Sequence, residues 1–133
     1  YFKQYNDRYG HQAGDDCVRA IAALIRQMES DQIFCARYGG DEFVIIYSGM
    51  SAEEVCERAE KLRQDVMALQ IEQRYTEGAF GVTISQGICH DIPSNGNKNW
   101  DFLHVADQAL YRVKRRGRNR LCMTDIHGRE IEV

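Results

Sequence analysis

The sequence predicts an α/β fold of the α+β kind, a sheet covered by helices. Three observations carry this expectation. Amphipathic helical patterns recur along the chain, and short apolar strand-like runs lie between them. Two of those runs meet at the glycine pair Gly39-Gly40, which reads as a hairpin turn because glycine accepts positive φ without steric cost. Periodicity alone leaves the strand order open.

Asp15 to Met28 reads as a helix, with Val18, Ile21, Ala22, Ile25 and Met28 on one face. Gln32 to Tyr38 and Glu42 to Tyr47 are the strands of the hairpin. Ser51-Ala52-Glu53-Glu54 has the form of a capping box, Ser51 at N-cap and Glu54 at N3. The helix it opens carries Val55, Ala59, Leu62, Val66 and Leu69 on one stripe. Phe80 to Cys89 is rich in strand formers, and Asp91 to Asn99, with Pro93 and Asn95-Gly96-Asn97, is a loop. Trp100 to Arg116 is a further helix, with Leu103, Ala106, Leu110 and Val113 inward and Gly117 as its stop. Arg120 to Thr124 is a last strand, and residues 125–133 form a tail or an added strand.

A chain of 133 residues suits one domain with one core. Its net charge of −3 gives no reason to expect nucleic-acid binding. No apolar run is long enough to span a bilayer, and a cytoplasmic setting is expected, although a parent protein could be membrane-anchored. The five cysteines are unclustered and odd in number, and read as small hydrophobes in a reducing compartment.

The hairpin carries the chemistry. Asp41 and Glu42 follow the glycines at its tip. Two like charges side by side at a turn are costly unless a cation or solvent meets them. The pattern therefore points to a divalent metal site displayed on a hairpin.

Arg37-Tyr38-Gly39-Gly40-Asp41-Glu42-Phe43 resembles the signature of the GGDEF family, the diguanylate cyclases. Three more blocks follow that family's order. Phe2-Lys3-x-x-Asn6-Asp7-x-x-Gly10-His11-x-x-Gly14-Asp15 resembles its N-terminal nucleotide loop. Thr83-x-Ser85-x-Gly87-Ile88 resembles a later core strand. Ala106-Asp107-x-Ala109-Leu110-Tyr111-x-x-Lys114-x-x-Gly117-Arg118-Asn119 resembles its last helix and the turn after it. The resemblance runs from Tyr1 to about Leu121, and the domain is expected over residues 1–124. It implies a mixed, largely antiparallel central sheet flanked by helices, like the palm of nucleotidyl cyclases and polymerases.

The resemblance also implies condensation of two GTP into cyclic di-GMP and two pyrophosphates by a homodimer of such domains. Asp41 would be a metal ligand and catalytic, with Glu42 assisting, and Mg²⁺ or Mn²⁺ would be the cofactor, two per active site. Gly39 and Gly40 would make the turn and leave room for the nucleotide. Asn6 and Asp15 would read guanine, since a carboxylate accepts from the guanine N1–H and 2-amino group, a donor pair adenine lacks. Asp15 also falls where a helix N-cap is expected, and one oxygen could serve each role. Lys3, Lys114 and Arg118 would meet phosphate as charges, and Phe2 through its backbone. Lys114 at a helix C-terminus equally satisfies the helix dipole. His11 is either a substrate contact or a structural loop residue.

Two departures from the family stand out. The Arg-x-x-Asp product-inhibition site falls on Ser30 and Ile33 without gaps, or on Met28 and Asp31 with a two-residue insertion. Neither placement keeps the guanidinium, so product inhibition is expected to be absent. The family's upstream strand, with a further metal-binding Asp, would precede Tyr1, so the sequence is expected to be N-terminally truncated, with regulatory domains N-terminal to it. The competing expectation is a catalytically silent GTP-binding domain that regulates a linked domain.

Overall fold

The structure is a computed structural model that describes residues 2–69, 71, 82–97 and 99–132. In chain order it contains α1 (Phe2–Tyr9), α2 (His11–Arg26), β1 (Ile33–Gly39), β2 (Glu42–Tyr47), α3 (Ala52–Ala68), β3 (Gln86–Cys89), α4 (Asn99–Arg115) and β4 (Leu121–Thr124). Helices and strands are thus mixed, as the patterning predicts. The chain divides into two compact units, residues 1–50 with 64–82 and residues 51–63 with 83–133.

In the first unit α1 packs on α2, and α2 on β1. The face of α2 predicted from periodicity is buried at Val18, Ile21 and Ile25, joined by Cys17. β1 and β2 form an antiparallel hairpin in which Ile33 faces Tyr47 and Gly39 faces Glu42. The register shifts between Arg37 and Gly39, so Tyr38 is the extra residue of a bulge.

The region before Asp15 departs from expectation. It is helical, not a loop, and α2 starts at His11 instead of Asp15. Gly10 takes the N-cap position with φ 88°, outside the range comfortable for other residues, and its carbonyl accepts from the Gly14 N–H at 3.1 Å. Asp15 is therefore inside the helix and does not cap it. α1 holds itself together with aromatic residues: Tyr5 is buried, and its ring lies 4.8 Å from that of Tyr9.

In the second unit β3 and β4 pair in parallel, from Gln86 opposite Leu121 to Cys89 opposite Thr124. α4 packs on both strands. Ala109, Val113 and Cys122 form the buried cluster at its centre. Gly87 is required here: a Cβ would strike the backbone of α4 at Ala106 and Leu110, coming within 2.7 Å of the Leu110 Cα. The Ser51 hydroxyl accepts from the Glu54 N–H at 3.2 Å, the N-cap half of the expected box. Of the α4 positions expected inward, Val113 is fully buried, whereas Leu103 is 39% exposed; Ala109, not among them, is buried beside Val113. The strand-rich run is a strand only from Gln86; Val82 to Ser85 are irregular, and Phe80 and Gly81 lie outside the described residues. After β4 the chain turns at Asp125–Gly128 and returns, with Thr124 bridging Glu130 and the Ile131 N–H donating to the Met123 carbonyl at 2.8 Å.

Candidate active site

The first unit carries the hairpin tip. The turn pair is Gly40-Asp41, between the paired Gly39 and Glu42. Gly40 has φ 49°, so the turn demands glycine there. Gly39 is different. Its φ is not left-handed and a Cβ on it would meet nothing within 4 Å. The turn itself therefore tolerates a side chain at Gly39, contrary to the expectation that both glycines are needed to make it. The Arg37 guanidinium fixes the tip, donating to the Gly40 carbonyl from Nε at 2.9 Å and from a terminal nitrogen at 2.5 Å. Asp41 and Glu42 are both exposed.

The carboxylates are hard oxygen donors of the kind Mg²⁺ takes. Among the described residues no group of three or more His, Cys, Asp or Glu gathers into a metal cage. Mg²⁺ commonly binds through one or two carboxylates, with substrate phosphates and water completing its shell. Asp41 and Glu42 fit that mode.

Asn6 and Asp15 sit on neighbouring helices of the same unit. Asn6 Oδ1 is buried and accepts no hydrogen bond among the described residues. It fills the space left by Gly14, where a Cβ would collide with it. An orphan buried acceptor is uncommon and calls for a donor. Asp15 follows Gly14 directly and is exposed. Lys3 is exposed on α1 and His11 is exposed at the first position of α2. Phe2 opens α1, where backbone N–H groups have no intrahelical acceptor.

Lys114 and Arg118 belong to the second unit. Lys114 is exposed in the last turn of α4 beside Arg112 and Arg115, which suits the helix dipole. Arg118 lies in the turn after it. Gly117, Arg118 and Asn119 have φ of 109°, 64° and 49°, three successive left-handed residues of which only the first is glycine. The turn is held by the Arg118 N–H on the Val113 carbonyl at 3.0 Å and the Asn119 N–H on Ser85 Oγ at 3.3 Å. Arg63 of α3 donates to Asn119 Oδ1 at 3.1 Å and pairs with Glu60. Sequence reasoning missed Arg63, whose partner is 56 positions away; its only local signal is the i,i+3 pairing with Glu60.

The stretch before β1, where the family's inhibitory pair would fall, is a hydrogen-bonded turn with Ser30, Asp31 and Gln32 exposed. Ser30 and Ile33 exchange backbone hydrogen bonds at 3.1 and 3.3 Å, and the Ile33 side chain is 3% exposed. No described helix is long and apolar enough to cross a membrane.

The family model for the diguanylate cyclase GGDEF domain matches residues 1–120. A diguanylate cyclase of Vibrio cholerae serotype O1 is 34% identical over 128 residues, 92% of this chain and 36% of that protein. Diguanylate cyclase DosC of Escherichia coli K12 is 33% identical over 122 residues, 90% of this chain and 25% of that protein. The chain thus spans roughly a third or less of the length of these curated relatives. The coiled coil and GGDEF domain of DgcB from Caulobacter crescentus, solved in complex with c-di-GMP, superposes with a TM-score of 0.81 at 34% identity, covering 93% of this chain and 64% of that one. The active GGEEF domain of a diguanylate cyclase from Vibrio cholerae gives 0.73 at 34% identity, covering 92% and 75%. With the hairpin, the Asn6–Gly14 cradle and the left-handed turn at Arg118 all falling within the matched residues, the chain belongs to the GGDEF-domain family of diguanylate cyclases.

Proposed function

We propose that this domain condenses two GTP into cyclic di-GMP and two pyrophosphates, with two copies facing each other. The observation that carries the reading is the hairpin tip. Arg37 pins the Gly40 carbonyl, adjacent carboxylates are displayed to solvent, and the space above Gly39 is left open although the turn does not require it. An open glycine that the fold does not need suits the approach of a nucleotide backbone.

One GTP binds to each domain. Asn6 offers its side-chain amide to the purine edge, and Asp15 its carboxylate to the guanine N1–H and 2-amino group. Lys3, Lys114, Arg118 and the Phe2 backbone bind the phosphates, with His11 near the nucleotide. Asp41, assisted by Glu42, holds Mg²⁺ or Mn²⁺, two ions per site. The bound cation supplies Lewis-acid charge to the phosphate oxygens and the attacking hydroxyl. The 3′-hydroxyl of each GTP attacks the α-phosphorus of the other; the new P–O3′ bond forms as the bond to pyrophosphate breaks. Because each nucleotide supplies the other's nucleophile, turnover needs a homodimer. Control of pairing by an N-terminal segment is part of the reading, and the DgcB relative carries a coiled coil beside its GGDEF domain. Absence of Arg-x-x-Asp product inhibition is part of the reading, because Ser30, or Met28 in the gapped placement, stands where the guanidinium would be.

The test is incubation of the full-length protein with Mg²⁺ and either GTP or ATP, followed by mass spectrometry. Cyclic di-GMP from GTP alone is expected. GTP binding without any cyclic product, at concentrations high enough to drive dimerisation, would favour a silent regulatory domain instead.

A further inference from the structure

We infer that Arg63 and Asn119 are positioning residues for Arg118, holding its guanidinium where it meets a nucleotide phosphate. This rests on the assignment of Arg118 to phosphate binding. Arg118 and Asn119 both adopt left-handed backbone, at φ 64° and 49°, a conformation that disfavours residues with a Cβ. Such outliers persist only where the surroundings over-determine them. Here the surroundings are explicit. The Asn119 amide oxygen accepts from Arg63 at 3.1 Å, and the Asn119 N–H donates to Ser85 Oγ at 3.3 Å. Arg63 is in turn fixed by Glu60, with Nε at 2.9 Å and a second nitrogen at 2.5 Å from the two carboxylate oxygens. Its side chain is only 19% exposed. A guanidinium gripped along one edge by a carboxylate and donating from the other to an amide is a rigid bracket. The bracket ties α3 and the approach to β3 to the one turn that presents Arg118. Asparagine suits the place because it tolerates left-handed backbone better than most residues and still offers an acceptor.

The experiment is calorimetric binding of a non-hydrolysable GTP analogue and of guanosine to the full-length protein and to R63A, N119A, N119G, R118A and R63A/R118A. N119G keeps the backbone conformation and removes the amide, which separates strain from bracket. The expected result is a roughly tenfold loss of analogue affinity in R63A and in N119G, the scale of one charged hydrogen bond, with guanosine affinity unchanged. In the R118A background, R63A should cost nothing further, because it acts through Arg118. Additive losses in the double variant, or equal losses for guanosine and the analogue, would overturn the inference while leaving the cyclase reading intact. A wild-type protein that binds neither ligand would overturn that reading, and this inference with it.

Discussion

The Asn6 side chain occupies the volume that a side chain on Gly14 would fill, so the packing of α1 on α2 and the placement of a buried amide acceptor are one feature. Gly14→Ala should displace Asn6 and overpack the contact. A loss of about 1–3 kcal/mol in urea unfolding is expected. Asn6→Ala should relieve most of it, so the double variant should be more stable than Gly14→Ala alone. A double variant that is less stable would show that the glycine serves another neighbour.

Two glycines make a contrasting pair. Gly87 lies against the backbone of α4, which has no flexible end to yield, whereas Gly39 faces open space. Gly87→Ala is expected to lose about 3 kcal/mol or more, or to yield no folded protein. Gly39→Ala should leave the melting temperature within a few degrees of wild type but reduce cyclic product. Thermal denaturation beside a turnover assay checks both. A Gly39→Ala variant with full activity would remove the argument that the open space serves a nucleotide.

The Arg37 clamp on Gly40 should matter more to activity than to folding. Both groups are exposed, so Arg37→Ala is expected to cost only about 1 kcal/mol of stability. Product formation should fall about tenfold or more as the tip loosens. Arg37→Lys keeps the charge but not the two-nitrogen grip, and should rescue little. Full rescue by lysine would show that charge, not geometry, is what the tip needs.

Much of this was legible in the sequence, and the misses have physical causes. The hairpin could be placed because two apolar strand runs flank Gly39-Gly40, and α2 because Val18, Ile21 and Ile25 repeat at helical spacing. α1 was hidden because it is short and buries a single residue, Tyr5, so periodicity had nothing to count. Its neighbour Gly10 supplies the N-cap through backbone geometry, which misdirected the helix start to Asp15. The acidic tip, Asn6, Asp15, Lys114 and Arg118 are singled out as candidates by motif alone. The Arg63–Asn119 contact was not, because it joins distant segments and Arg63, four residues after Ala59 and three before Val66, flanks the apolar stripe without marking it. Glu130 of the returning chain meets Arg112 of α4 and Arg116 just beyond the helix, with Arg116 at 2.5 Å from the carboxylate, a tertiary pairing no local rule reveals.

Asp91 gives a pH dependence with a definite sign. Its carboxylate accepts from the Ile126 N–H at 3.0 Å and the Ile92 N–H at 2.8 Å, and these bonds, the first chief among them, hold its pKa below the usual carboxylate range. A lowered folded-state pKa means the contribution is complete above the unfolded value and is lost as pH falls through the folded one. The stability gap between wild type and Asp91→Asn should therefore hold steady from about pH 7 to 5 and narrow below about pH 4. Urea midpoints across that range measure it. A gap that persists unchanged to the acid limit would mean the charge on Asp91 contributes nothing.

The most direct measurement is cyclic di-GMP formation by the full-length protein and its Asp41→Ala variant, each with GTP and Mg²⁺ over a series of protein concentrations. The account predicts wild-type product that rises more steeply than linearly with protein at low concentration, because two domains must meet. It also predicts a loss of about a hundredfold or more in the variant, with melting temperature unchanged because Asp41 is exposed at a turn. An Asp41→Ala protein that folds normally and still makes cyclic di-GMP at the wild-type rate would contradict it.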